Sequence, residues 1–197
     1  AAGRWYFHNL KAVPRRLENV LVLRGEETNV IDFEGRTDLT REDASCLDWV
    51  VASIHEVTMR DKAPTEEKVT KAWLAIAENP LVRVIGHSGS ELYRYDYERV
   101  LPVFAQNGKL VELNEASFTG RTESIPNCTR IMRLCKKHGV PIIVNSDAHF
   151  SSQVGCFERS LQLLEEIDFP EELVVNSSVQ RFSAYLKQYT GTFSNSD

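Results

Sequence analysis

Glu27, His55, His87, Asp147 and His149 are the residues of this 197-residue sequence whose types and placement could do chemistry. Each stands at, or just beyond, a short run of strand-building residues. Glu27 follows VLVLRG (Val20–Gly25), His55 follows WVVASI (Trp49–Ile54), and His87 follows VRVIG (Val82–Gly86). Asp147 and His149 follow IIVNS (Ile142–Ser146); two further runs, LVELN and the weaker LVVN, end in Asn114–Glu115 and Asn176. Carboxylates gathered in one cleft repel each other, and neutral imidazole is a poor counter-charge. Divalent cations solve both problems. Histidine with Asp or Glu is a ligand set for zinc, manganese or iron, and a carboxylate such as Glu27 can bridge two ions about 3.5–4 Å apart. A centre of that kind activates water and stabilises phosphoryl charge, so even an acidic protein could take an anionic substrate.

Each residue has a plainer alternative. A lone histidine at a strand end is more often a hydrogen-bonded surface or core side chain than a ligand. Glu26 and Glu56 read as solvated neighbours. His138 precedes Gly139 at a helix end, where an imidazolium favours the dipole. His8 belongs to packing or surface, and Cys128 and Cys135, seven apart on one helix, to the core. What favours a metal site is that four separate strand ends carry ligand-type residues. Alternation along a strand adds to this: Glu27 shares a face with Gly25, His55 with Ser53, Asn114 with Glu112, and Asp147 with Asn145.

Helices must carry the chain between these strands. Thr65 is placed to cap EEKVTKAWLAIAEN, where Val69, Trp73, Ile76 and Ala77 recur at helical spacing until Pro80. DYERVLPVFAQNG ends on Gly108; PNCTRIMRLCKKHG opens with Pro126 and closes on Gly139. Amphipathic patterns also run from Phe157 to Ile167 and from Val179 to Tyr189. Strand–helix alternation of this kind predicts an α/β fold with parallel strands and crossover helices. No strand is followed by GxGxxG, so a dinucleotide-binding sheet is disfavoured. Polar residues gathered at strand ends favour a (β/α) barrel, whose chemistry sits at the carboxyl ends of its strands.

Composition bounds the rest. The chain is the size of one domain, with 42% hydrophobic and 26% charged residues. Its 23 Lys+Arg stand against 28 Asp+Glu, a net charge of −5, without a basic run to follow a nucleic-acid backbone. The four cysteines form no CxxC pair, and reduced thiols in a cytoplasmic setting are the expectation. Neither a membrane span nor a signal-peptide pattern is found. The opening AAGRWYFHNLKAVPRR lacks an initiator Met and reads as the interior of something longer.

LRGEETN, ASIHEV, VIGHSG, LVELNEASF and VNSDAH, in that order, resemble the PHP (polymerase and histidinol phosphatase) superfamily, and best its YcdX-like bacterial phosphatase branch. The similarity covers nearly the whole chain, through GCFERSLQLLEEIDFPEELVVNSS. The resemblance implies one domain over residues 1–197, a distorted seven-stranded (β/α) TIM-like barrel, and hydrolysis of a small phosphorylated substrate at a site of up to three divalent ions. Zinc is the first expectation, with manganese or iron as alternatives. It makes Glu27 the bridging carboxylate with His55 and His87 beside it; Asp147 completes another ion's shell and His149 holds the third. Glu27 and Asp147 would then be catalytic through a metal-bound hydroxide. Arg121, after NEASF, is a candidate phosphate clamp, since guanidinium matches phosphate oxygens in pairs; a solvated loop arginine is the equal alternative.

Two departures stand out. The family's first strand carries His-x-His and its second a further histidine, and this chain has neither. The expectation is therefore a barrel without its first two strands. HSGS also replaces the usual His-Pro-Gly after the third run. Two rivals follow: a non-catalytic remnant that binds a metal or ligand, and an amidohydrolase-like enzyme cleaving C–N bonds, which a lysine at a strand end would favour and none does. Membrane and nucleic-acid partners are not expected, and a homo-oligomer stays open. The loops Thr58–Thr65, Ser88–Tyr95 and Phe118–Pro126, which would choose the substrate, carry no diagnostic pattern.

Overall fold

A computed structural model describes residues 5–189. Its centre is a parallel sheet of β3 (Gly25–Asn29), β4 (Trp49–Ser53), β5 (Val84–Ile85), β6 (Leu110–Asn114) and β7 (Ile142–Asn145), whose order in space is their order in the chain. A short antiparallel pair, β1 (Arg16–Leu17) and β2 (Val20–Leu21), precedes it. Within the described residues the sheet is open, ending at β3 on one side and at a single parallel bridge from Val174 to Ile142 on the other.

Two strand boundaries differ from expectation. The predicted strand Val20–Gly25 is divided: Val20 and Leu21 pair with Leu17 and Arg16 of β1 and stay exposed, and the sheet strand begins only at Gly25. Asp48 sets this register. Its carboxylate accepts from the Arg24 N–H at 2.9 Å, while the Asp48 N–H donates to the Arg24 carbonyl at 2.8 Å. Gly25 is thereby placed opposite Trp49, and Glu27 lies inside the strand, opposite Val51. The predicted strand Leu173–Asn176 is a 3₁₀ turn followed by the Val174 bridge. The Asn176 side chain stands in for a strand partner there, accepting from the Val144 N–H at 3.1 Å and donating to its carbonyl at 2.7 Å.

The helices follow their sequence signals. The Thr65 hydroxyl accepts from the Lys68 N–H to open α3 (Glu66–Glu78), counting α1 (Trp5–Asn9) and α2 (Arg41–Ala44) before it. Asp96 caps α4 (Tyr97–Gln106) in the same way, and α5 (Ile125–His138) ends on Gly139 at φ 65. These helices and α6 (Glu158–Glu166) cover one face of the sheet. There Val50, Ala52, Ile85, Val111 and Val144 join a core with Trp73, Ile76, Leu101, Phe104 and Ile131. The other face is divided along the strands. Near the amino ends Val84, Leu110 and Ile143 lie under Phe182, Tyr185 and Tyr189 of α7 (Val179–Tyr189). Toward the carboxyl ends the same face turns polar, with Glu27, Asn29, Ser53, Glu112, Asn114 and Asn145. No helix among the described residues is long and apolar enough to cross a membrane.

Lys109 ties the bottom of the sheet together. It is 2% exposed, and its ammonium donates to the carbonyls of Asn79 (2.6 Å) and Val82 (2.9 Å) in the α3–β5 connection. Lys109→Leu leaves both carbonyls without that donor, so stability is expected to fall by about 2–4 kcal/mol. Urea unfolding should show a lower midpoint at unchanged slope.

Candidate metal centre

Three of the five expected ligands converge at the carboxyl ends of β3, β4 and β5. Glu27 Oε1 lies 3.0 Å from His87 Nε2 and 3.7 Å from His55 Nε2, and the two ring nitrogens are 3.1 Å apart. One ligand atom from each residue fits within 4.8 Å of the others. The Ser53 hydroxyl donates to the same Glu27 oxygen. The hydrogen bond from His87 outweighs burial and, with that from Ser53, holds the Glu27 carboxyl at about 2. Burial, and then the nearby His87, push the His55 imidazolium below its ordinary range. Near neutral pH these two residues are a carboxylate and a neutral imidazole, the protonation states metal ligation needs. The donor set therefore fits a divalent cation of the zinc, manganese or iron kind.

The backbone is tight here. His87 has φ 24 and Asp147 φ 51, left-handed conformations that non-glycine residues adopt at a cost of roughly 1–3 kcal/mol each. Beside His87, a Cβ on Gly86 would fall 2.1 Å from Ser53 Oγ and 2.8 Å from Val51 Cγ1. Only glycine lets β5 lie this close to the Ser53–Glu27 hydrogen bond.

Asp147 and His149 are not drawn into the three-residue group. Asp147 Oδ2 accepts from an Arg121 terminal nitrogen at 3.1 Å and from Asn114 Nδ2 at 3.2 Å, and the same arginine nitrogen reaches Asn114 Oδ1 at 3.3 Å. His149 keeps 84% of its side chain exposed, with Nδ1 2.9 Å from the Asp147 carbonyl oxygen. Arg121 Nε is buried with no hydrogen-bond partner among the described residues. Arg121 lines a cleft of about 610 Å³ with His55, His87, Leu92, Tyr93 and Ser124. The loops Ser88–Tyr95 and Phe118–Pro126 supply lining residues to this cleft, whereas Arg60 and Asp61 of Thr58–Thr65 line a separate one.

Other polar residues take structural places. Glu115 accepts from the Arg159 and Ser160 N–H groups at 2.9 and 2.8 Å, capping α6. His138 pairs with Glu98 at 2.7 Å, far along the helical layer. All four cysteines are unpaired. Glu26 is not the solvated neighbour it was expected to be. Its side chain lies on the other face of β3 from Glu27, and one carboxyl oxygen is buried with no hydrogen-bond partner among the described residues. Burial first, then Asp38 and Asp43, raise it from 4.5 to about 7. The folded state thus binds this proton more tightly than the unfolded chain, and stability drains away as pH rises from 4.5 through 7. Glu26→Gln should be more stable than the parent at pH 8 by about 1–2 kcal/mol, after allowance for partial exposure, and equal to it at pH 4. Thermal melts at the two pH values check this.

Two further polar residues support the site: Glu112, which shares a strand face with Asn114, and Asn29, which goes unmarked in the sequence. Glu112 accepts from the His87 N–H (2.7 Å), Asn145 Nδ2 (2.7 Å) and Asn114 Nδ2 (3.2 Å), so one carboxylate joins the ends of β5, β6 and β7. Asn29 accepts from His55 Nδ1 at 2.7 Å. Their signal was available: a polar residue on the inward face of an otherwise apolar strand.

A parallel α/β sheet that gathers two imidazoles and a carboxylate toward the carboxyl ends of its strands forms a group that could hold a cation beside an open cleft. Comparison with known proteins narrows the class. A family described as PHP-associated matches residues 126–169. The chain is 41% identical over 184 residues to a probable phosphatase of Clostridium novyi (strain NT), covering 93% of this chain and 75% of that protein. It is 42% identical over 184 residues to a probable phosphatase of Acetivibrio thermocellus, covering 93% and 76%. With one of Caldicellulosiruptor saccharolyticus it shares 40% over 182 residues, covering 92% and 75%. The chain belongs to the PHP superfamily, alongside these bacterial proteins, as its five ordered motifs implied.

Proposed function

We propose that this protein is a metal-dependent phosphatase acting on a small phosphorylated substrate in the cytoplasm, on a PHP-type (β/α) barrel of which the five strands of the parallel sheet form part. The observation that carries it is the meeting of Glu27, His55 and His87 beside Arg121 at an open cleft. Relatives named probable phosphatase, about 40% identical over most of the chain, support it. Glu27, His55 and His87 would hold a divalent ion, zinc first and manganese or iron next, with Asp147 and His149 as further ligands. Such ions, when bound, supply Lewis acidity toward the phosphoryl oxygens and toward a water molecule.

The protein's own groups do the rest. The Glu27 carboxylate places negative charge where cations must gather, and Ser53 fixes its orientation. Arg121 presents guanidinium N–H donors at the cleft wall, where a phosphate would lie. The pairing of Arg121 with Asp147 keeps the guanidinium extended toward the strand ends. Tyr93 and Leu92 offer an apolar wall to the group that leaves.

The test is hydrolysis of a panel of phosphomonoesters by the full-length protein, stripped with chelator and reloaded with manganese or zinc. Turnover lost on stripping and restored on reloading is expected. The absence of both bound metal and turnover would overturn the proposal, and metal without turnover would favour a binding module instead.

A further inference from the structure

Behind His55 stands a chain of hydrogen bonds whose polarity permits one arrangement. Asn29 closes β3 on the same face as Glu27, opposite Ser53 on β4. Its side-chain oxygen meets His55 Nδ1 at 2.7 Å, and its side-chain nitrogen donates to Asp38 Oδ2 at 2.6 Å. A carboxylate can only accept, so the amide must turn its NH₂ to Asp38 and its oxygen to His55. An amide oxygen can only accept, so the proton of the neutral imidazole must sit on Nδ1. Nε2 is left with its lone pair, and Nε2 is the atom that faces Glu27 and His87.

Asp38 is itself firmly held. Its Oδ1 accepts from the Asn29 N–H (2.9 Å) and from the hydroxyl of fully buried Thr28 (2.7 Å), while its own N–H donates to the Asn29 carbonyl (3.1 Å). The intervening turn is built to bring it back. Asp32, 4% exposed, accepts from the N–H groups of Glu34 and Arg36 and from Arg36 Nε. Gly35 has φ 76 and lies so near α3 that a Cβ would come within 2.6 Å of Ala75 Cβ. Burial works against ionisation of Asp38, but the hydrogen bonds from Asn29 and Thr28 outweigh it and keep the carboxyl below its usual range.

We propose that Asn29 and Asp38 are positioning residues that lock His55 in its Nδ1–H tautomer, so that Nε2 is presented to a divalent cation. This rests on the metal-binding part of the proposed function. Outer partners of this kind orient a ligand ring and raise its basicity, and their loss typically weakens metal affinity about 10–100-fold.

The experiment begins with the metal-free full-length protein labelled with ¹⁵N-histidine, whose long-range ¹H–¹⁵N spectrum reports which ring nitrogen carries the proton. His55→Gln identifies the signals. The parent should show His55 protonated at Nδ1, whereas Asn29→Leu, with no acceptor, should show a tautomer mixture. Manganese and zinc affinities, from competition with a chromophoric chelator, should fall about 10–100-fold in Asn29→Leu. Asp38→Ala should fall in the same direction. Asn29→Gln or Asp38→Asn, which keep polar groups at these places, should recover part of the affinity. Circular dichroism melts select variants that remain folded; if Asn29→Leu does not, Asp38→Ala carries both measurements. An Nε2–H tautomer in the parent, or unchanged tautomer and affinity in the folded variants, overturns the inference. A tautomer change with weakened metal binding supports it even if no phosphoester is ever turned over, so the two proposals fail separately.

Discussion

Glu27→Gln is expected to lower kcat/KM for phosphomonoester hydrolysis by at least about 10³-fold, a loss of roughly 4 kcal/mol in transition-state stabilisation. The substitution keeps the side chain's size and an oxygen for the Ser53 hydroxyl, and changes little but the charge. That charge is what matters. Glu27 is the sole carboxylate in the group of three, and the two imidazoles supply no negative charge to balance a divalent cation. Its oxygen is also the one placed within 3.0 Å of His87 and 3.7 Å of His55, so it sets the centre of the cluster. Metal content after dialysis should drop with activity; the metal-free variant should stay folded but melt somewhat below the parent near neutral pH, because the ionised Glu27 carboxyl, held at about 2, stabilises the fold there. Activity retained within tenfold would remove Glu27 from the site.

Arg121→Met should lower kcat/KM by about 10²-fold, roughly 2.7 kcal/mol. Methionine keeps much of the apolar stem and removes every donor. Two observations set the size. One guanidinium nitrogen already makes a charge-assisted contact with Asp147, and the side chain lines the cleft, so an oxyanion arriving there would meet a fixed guanidinium. Arg121→Lys should recover only part of the loss, because an ammonium is a point charge and cannot reproduce the planar fork. Inhibition by inorganic phosphate should weaken in parallel. If kcat is unchanged and KM alone rises, Arg121 holds substrate and transition state equally; if both kcat and kcat/KM fall, it acts in the transition state. Kinetics within threefold of the parent would return Arg121 to the role of a loop arginine that orients Asp147.

These two residues were legible to different degrees. Glu27, His55 and His87 could be picked out because strand alternation and strand ends are local properties: a carboxylate or imidazole where an apolar run stops is visible without any contact map. Asp147 and His149 were visible for the same reason, yet folding treats them differently, since Arg121 and Asn114 compete for Asp147 and the short Ala148 link lets His149 turn outward. Glu115 had the same local signature as a ligand and became a helix cap, because α6 begins directly above it.

By itself, the sequence determined the alternation of strands and helices, the cap at Thr65 and the helix end at Gly139, the family, and which residue types crowd the carboxyl ends of the strands. Those follow from periodicity, capping chemistry and ordered motifs, all of them local. Only the tertiary structure decided where the first sheet strand begins, because that register hangs on Asp48 gripping Arg24 from 24 residues away. It alone brought Asp38, nine positions along the chain, back to Asn29 and so to His55. It also made Glu112 the link among three strands and left Glu26 half-buried on the opposite face of β3 from Glu27, with one carboxyl oxygen enclosed. Hydrogen-bond polarity and burial are set by what arrives from elsewhere in the chain, and no spacing along the sequence encodes them.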